Sequence, residues 1–289
     1  MKNLKMEVTS KNSQILVIDF MNLCHRARSG FLLGPAPVVY NFFRQFKSLV
    51  DQFKPTQIYV VLEGRPIKRY EVLAEYKANR IIQEDDPKYA ELQEFYAQKE
   101  VIVDLLTKHF PVSVVRHPTC ECDDTIANLV RRSDKSDSWT IVSSDTDFIQ
   151  LLQERDNVKL YNPVRKEFVS APEYPYLTWK ALRGDVTDNI PGIPGIGDKT
   201  AKKLSCDPDL LLKFLGKPAT SLLFERNYAL ISFLEWSAED IKLMSSSTPF
   251  KNWDAVKSVF AHFSFSSMIK DDSWQKFIKT FDTMWDLAS

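Results

Sequence analysis

Five short apolar runs punctuate the first half of the chain, and three of them end on an acid. "QILVID" closes at Asp19, "IYVVLE" at Glu63 and "WTIVSSD" at Asp145. A fourth, "VSVV" (112–115), leads by a short loop to Glu121, Asp123 and Asp124, and a fifth, "VKLY" (158–161), follows. Runs of this length, rich in β-branched residues, read as strands buried on both faces, as in parallel sheets. Between them, 38–53, 88–109 and 124–132 carry apolar residues at helical spacing. Strands alternating with helices predict an α/β fold with a mostly parallel central sheet flanked by helices. Such sheets bind ligands at the carboxyl ends of their strands.

Asp147 follows Asp145 in "SSDTDFIQLL", at a strand-to-helix turn. If the strands are neighbours, seven carboxylates share one rim. Like charges about 4 Å apart repel by roughly 4 kcal/mol at an effective dielectric near 20. Bound cations or raised pKa values must relieve them, and an all-oxygen donor set favours Mg²⁺ or Mn²⁺. Taken singly, Asp123 and Asp124 suit the first turn of a helix and Asp147 an N-cap. Four strands delivering acids to one edge do not reduce to that. The thiols of "CECDD" (Cys120 and Cys122, with His117 nearby) lack a fourth ligand and the usual spacing for structural zinc. They are expected to pack in the core. The four cysteines include no C-x-x-C pair, which suits a reducing compartment. Residues 1–13 contain no apolar h-region, and no run of about 18 apolar residues occurs, so the expectation is a cytoplasmic protein without a membrane partner.

After about Trp179 the strand pattern stops and helices are expected to Ser289. Four of the eight glycines fall at 184, 192, 195 and 197, within "GDVTDNIPGIPGIGDKTAKKL" (184–204), which adds Asp185 and Asp188. A Rossmann loop needs G-x-G-x-x-G after a strand, and a P-loop needs lysine where Asp198 stands. Both are excluded. A helix–hairpin–helix fits better: Gly192, Gly195 and Gly197 would expose backbone N–H groups to phosphate oxygens, with Lys199, Lys202 and Lys203 adding charge. Upstream, "GRPIKRYEVLAEYKANR" (64–80) interleaves Arg65, Lys68, Arg69, Lys77 and Arg80 with Tyr70 and Tyr76. Basic and aromatic side chains together suit a single strand, through phosphate pairing and base stacking. The chain has 38 basic and 38 acidic residues. Setting nine clustered acids aside leaves 38 basic against 29 acidic, a surface suited to DNA.

These motifs, "ILVIDFMNLCHRA", "EGRPIKRYEVLAEYKANR", "CECDDTIANL", "IVSSDTDFIQLL" and "GDVTDNIPGIPGIGDKTAKKL", resemble the 5′-nuclease superfamily: flap endonucleases, phage 5′–3′ exonucleases and the nuclease domain of bacterial DNA polymerase I. The resemblance covers about 14–215. It implies a PIN-like core with a helical arch at 64–108, in a domain spanning 1–176, and a helical region at 177–289 containing the helix–hairpin–helix. It implies Mg²⁺ at two sites, with Mn²⁺ as a substitute: Asp19, Glu63, Glu121 and Asp123 at the first, with Asp124 adjacent, and Asp145, Asp147, Asp185 and Asp188 at the second. Tyr76, Lys77 and Arg80 match the arch base, where the lysine and arginine contact the scissile phosphate. Arg65, Lys68 and Arg69 are expected on the DNA beside them. The hairpin glycines match a site that holds K⁺ and duplex backbone. The family usually has Phe-Asp where this chain has Leu62-Glu63. The implied activity is metal-dependent cleavage of 5′ flaps, forks and RNA–DNA primers by a monomer in replication or repair. The competing readings are a haloacid-dehalogenase-like phosphatase, from Asp145-Thr-Asp147, and a non-catalytic DNA-binding protein. "QKFIKTF" (275–281) loosely resembles a sliding-clamp peptide but is expected in the core; contact with a clamp or a single-strand-binding protein stays open.

Overall fold

The computed structural model describes residues 13–30 and 34–288, with side chains through 282. The polar stretch 1–12 lies outside the described residues. All five anticipated strands form: β1 (Gln14–Asp19), β2 (Gln57–Leu62), β3 (Ser113–Arg116), β4 (Ser138–Val142) and β5 (Val158–Asn162). They are mutually parallel and joined by helical crossovers. β6 (Glu167–Val169), the hairpin pair β7 (Gly184–Asp185) and β8 (Ile190–Pro191), and β9 (Ser245–Ser246) complete the set. The main sheet has seven strands in the order β6-β5-β4-β1-β2-β3-β9, with antiparallel edges.

β9 corrects the expectation that strands end near Trp179. Two serines carry no apolar signature, and they pair with Arg116 and Val115 only because the tertiary fold brings them to that edge. Register fixes the site. Asp19 lies opposite Val61, and Ile18 opposite Val142, so the chain exits β1, β2 and β4 at one level.

The helices follow the apolar spacing: α1 (Phe20–Arg28), α2 (Pro37–Phe53), α3 (Ile67–Val72), α4 (Tyr89–His109), α5 (Cys122–Arg132), α6 (Ile149–Glu154), α7 (Tyr176–Arg183) and α8 (Asp198–Cys206). α4 buries Phe95, Ile102, Leu105 and Leu106 in the core, so within 64–108 the residues from Tyr89 onward form one packed helix. One face of the sheet is covered by an aromatic layer. Phe43 meets Phe260 at 5.2 Å, and Phe46 meets Phe281 at 5.3 Å. The helices Trp253–His262 and Asp271–Ala288 therefore complete the core that α2 and α4 begin. Packing runs straight across the boundary expected at 176. Phe277 and Phe281 of the clamp-like heptapeptide are buried in it, as expected. The other face packs α5 to α8 through Ile126, Trp139, Phe148, Trp179 and Leu204. Among the described residues no helix is long and apolar enough to cross a membrane.

Candidate metal centre

Each acid reaches the rim through a local device. Asp19 ends β1 and caps α1: one carboxylate oxygen accepts from the Asn22 N–H at 3.0 Å, the other from the Ser143 hydroxyl at 2.8 Å. Asp145 caps the turn after β4 by accepting from the Asp147 N–H at 2.9 Å. Asp185 does the same from β7, accepting from the Thr187 N–H at 2.8 Å. Glu63 follows β2 and precedes Gly64, where a Cβ would lie 1.9 Å from the His117 carbonyl oxygen. Only glycine lets the loop after Glu63 pass so close to the loop that delivers Glu121. Ligand atoms of Glu121, Asp123 and Asp124 lie within 4.8 Å of one another at the start of α5.

The acids act on one another electrostatically. Burial, then the charges of Asp145 and Asp123, pushes Asp19 up to about 6. Desolvation of its carboxylate, then the charges of Glu121 and Asp123, raises Glu63 well above the ordinary range, although the residue as a whole is exposed. Desolvation of its carboxylate and the charge of Asp123 raise Asp145, although the residue as a whole is exposed. Burial opposes ionisation of Asp185 too, but Lys180 and Thr187 outweigh it and hold that carboxyl at about 2.

Cations neutralise part of the cluster. Lys77 pairs with Glu121 and stands 3.6 Å from Asp188, which also pairs with Arg80. Lys180 bridges Asp147 and, at 2.7 Å, Asp185. Asp19, Glu63, Asp123 and Asp145 have no basic group at ion-pair distance among the described residues. These four carboxylates, delivered by the ends of β1, β2 and β4 and by the first turn of α5 and coupled to one another electrostatically, are hard oxygen donors that suit a divalent cation by chemistry and by charge.

Several expected residues land elsewhere. Arg69 is buried in ion pairs rather than exposed to a ligand. It is 2% exposed, 2.9 Å from Glu121, and grips both oxygens of Asp124 and the Leu230 carbonyl. Asp124 is correspondingly a counter-ion to Arg69, and its Oδ1 also accepts from the Leu234 N–H at 2.8 Å. Tyr76 is buried rather than offered to a base, and its hydroxyl donates to Glu121 at 2.9 Å and reaches Asp188 at 3.2 Å. Lys68 is turned toward Asp240 at 3.2 Å, away from the cluster. Arg65 is exposed. Cys120 and Cys122 are buried, and the Cys122 thiol donates to the Val61 carbonyl.

At the hairpin, Gly184 (φ 77°) and Gly192 pack so closely that a Cβ on Gly192 would meet the Arg183 carbonyl oxygen at 2.0 Å. Nothing lies within 4 Å of a Cβ added at Gly195 or Gly197, so that backbone is open to a ligand. Lys199 and Lys203 are exposed, whereas Lys202 is held by Asp198 at 3.0 Å.

Sequence reading missed Lys180, Asn22 and Asn227. Lys180 stands one helical turn before Gly184 and faces inward, a placement that the helix C-terminus before Asp185 could have suggested. Asn22 exchanges two hydrogen bonds with Ser144, tying α1 to the loop of Asp145. Asn227, fully buried, donates to the carbonyls of Ala181 and Pro191 and fastens the hairpin to α7.

Residues 14–176 match the family described as 5′-3′ exonuclease, N-terminal resolvase-like domain. DNA polymerase I of Synechocystis is 29% identical over 238 residues, which is 72% of this chain and 23% of that protein. A 5′-3′ exonuclease of Aquifex aeolicus is 33% identical over 183 residues, 58% of each chain. This chain spans 20 to 24% of the length of several DNA polymerase I relatives it matches. The fold is also that of the bacteriophage T5 5′-exonuclease with bound zinc ions, at TM-score 0.64 and 20% identity, covering 96% of this chain and all of the other. The family match spans β1 to β6 and the acids from Asp19 to Asp147, and the chain belongs to the 5′–3′ exonuclease family.

Proposed function

We propose that the chain is a structure-specific, metal-dependent 5′ nuclease that hydrolyses phosphodiester bonds at 5′ ends and 5′ flaps of DNA, RNA–DNA primers included, in replication or repair. The observation that carries this reading is the set Asp19, Glu63, Asp123 and Asp145, at the ends of β1, β2 and β4 and the start of α5 and without cationic partners, near Lys77 and Arg80 of the motif that follows Glu63. Relatives point the same way: the bacteriophage T5 flap endonuclease has been crystallised with DNA and metal ions.

Asp19, Glu63, Asp123 and Asp145, with Glu121, Asp188 and the Lys180-bridged pair Asp147 and Asp185 around them, would hold two Mg²⁺ ions, with Mn²⁺ substituting. When bound, such ions activate a water and stabilise the leaving 3′ oxygen. The chain's own contribution is charge and position. Lys77 and Arg80 turn from Glu121 and Asp188 to the scissile phosphate and offset its developing charge. Tyr76 and Arg69 hold Glu121 in place. The open backbone at Gly195 and Gly197, with Lys199 and Lys203, takes the duplex backbone without reading sequence, so specificity comes from DNA shape. A K⁺ ion at this hairpin and action as a monomer belong to the same reading.

A labelled 5′-flap substrate in Mg²⁺ tests it. Asp145→Asn should lower single-turnover cleavage by at least about 10³-fold, the scale of losing a key electrostatic stabiliser, while flap affinity in Ca²⁺ changes only a few-fold. Wild-type rates in that variant would refute the site.

A further inference from the structure

The segment between Glu63 and α4 encloses a cleft of about 540 Å³ beside the carboxylate rim, lined by Arg65, Ile67, Tyr70, Ala74, Lys77 and Ile81 among others. That volume is in the range of clefts that hold small organic groups, about 300–1,000 Å³. Its wall ends at Lys77, whose ammonium pairs with Glu121, so an occupant would lie next to the acids. With Lys77 paired to Glu121, Arg65 and Glu71 are the remaining charges of the lining, and the exposed Arg65 beside apolar wall suits an anionic group attached to an apolar one.

The two tyrosines of the motif have separate fates. Tyr76 is buried with its hydroxyl committed to Glu121 and Asp188. Tyr70 is only half-buried. Its ring is set edge-on against Tyr76, centroids 6.2 Å apart at 68°, and the Arg65 guanidinium lies 5.9 Å from its centroid. The T-shaped contact fixes the ring while leaving it on the cleft wall. Ile81 stands 67% exposed on the same cleft. An aromatic ring next to an exposed guanidinium, with exposed aliphatic surface beside it, is the chemistry that holds an unpaired nucleobase and its phosphate.

We infer that this cleft is a subsite for one unpaired base of the substrate's single-stranded 5′ segment, stacked on Tyr70 with Arg65 on a neighbouring phosphate. The inference rests on the nuclease reading and deepens it: Tyr70 selects substrates that present an unpaired nucleotide at the arch base. A single strand fits better than a peptide, because the cleft wall ends at Lys77, which pairs with Glu121 of the acid cluster proposed to cut a phosphodiester.

The test uses the full chain, flap substrates carrying an abasic residue at each flap position in turn, and a 2-aminopurine scan of the same positions. Tyr70→Ala should lower kcat/KM on the ordinary flap roughly ten-fold, the size of one base stack, and Tyr70→Phe should stay within about two-fold of wild type. An abasic residue at one flap position should cost the wild type the same factor and cost Tyr70→Ala little more. In Ca²⁺, 2-aminopurine at that position should be quenched on binding by the wild type and by Tyr70→Phe, and not by Tyr70→Ala. If Tyr70→Ala loses the same factor on abasic and ordinary flaps at every position, or quenching survives in it, the subsite is overturned and Tyr70 only packs. The quenching assay needs no cleavage, so a protein that quenches but never cuts keeps the subsite and sinks the nuclease reading instead.

Discussion

Arg69 and Asp124 both read from sequence as facing ligands, and the structure joins them to each other. A bidentate pair buried this deeply is expensive to break from one side, because the remaining charge has no water to turn to. Arg69→Ala should therefore destabilise the fold by about 3–5 kcal/mol, read as a fall in the urea midpoint. A neutral effect would mean that the pair is solvated. Lys180 holds Asp147 and Asp185 together in the same manner, but it belongs to the cluster that the metals would neutralise. Lys180→Met should weaken the fold in EDTA and recover much of that loss in Mg²⁺, seen as a larger metal-dependent rise in Tm than in the wild type.

At the level of elements, the hairpin between α7 and α8 is a scaffold whose outer side is open. Gly192 is required by its close approach to the Arg183 carbonyl, whereas Gly195 and Gly197 face free space. Lys199→Ala together with Lys203→Ala should weaken duplex binding uniformly across sequences. It should also flatten the dependence of log Kd on log salt by roughly two, one for each phosphate that a lysine no longer neutralises. An unchanged salt slope would remove α8 from the interface. Gly184 and Gly192 are visible in the sequence as part of a glycine cluster, but only tertiary packing separates the packed glycines from the open ones.

For the whole molecule, the acid rim stores repulsion that pH and metal release. Asp19 rises from its ordinary 3.8 to about 6 in the folded chain, so the folded state binds its proton more tightly than the unfolded state. Stability from this group is then present below about 4 and lost as pH rises through about 6. The loss is on the order of 3 kcal/mol at most, at about 1.4 kcal/mol per unit. Glu63 and Asp145 shift in the same direction. Thermal melts in EDTA should show a lower Tm at pH 8 than at pH 5.5, and Mg²⁺ should raise Tm more at pH 8. A Mg²⁺ effect independent of pH would contradict the coupling. The carboxyl-terminal helices matter at this scale as well: Phe281→Ala should cost about 3–5 kcal/mol, because the ring fills the layer shared with Phe46 and Phe110.

The sequence by itself determined the five parallel strands, the helices at 38–53, 88–109 and 124–132 and the acids that follow the strands. Alternation of β-branched runs with helical spacing is a local signal, and an acid at a strand end is legible one residue at a time. Only the tertiary structure decided which acids remain without a cation. Arg69, Tyr76 and Lys77 reach their partners across tens of residues, as Lys180 does to reach Asp147, and no spacing in the chain encodes those meetings. The same holds for β9 and the aromatic layer of the carboxyl-terminal helices. Two serines and a few phenylalanines acquire their roles from the edge and the face against which the folded chain sets them, because pairing and burial are properties of neighbours in space.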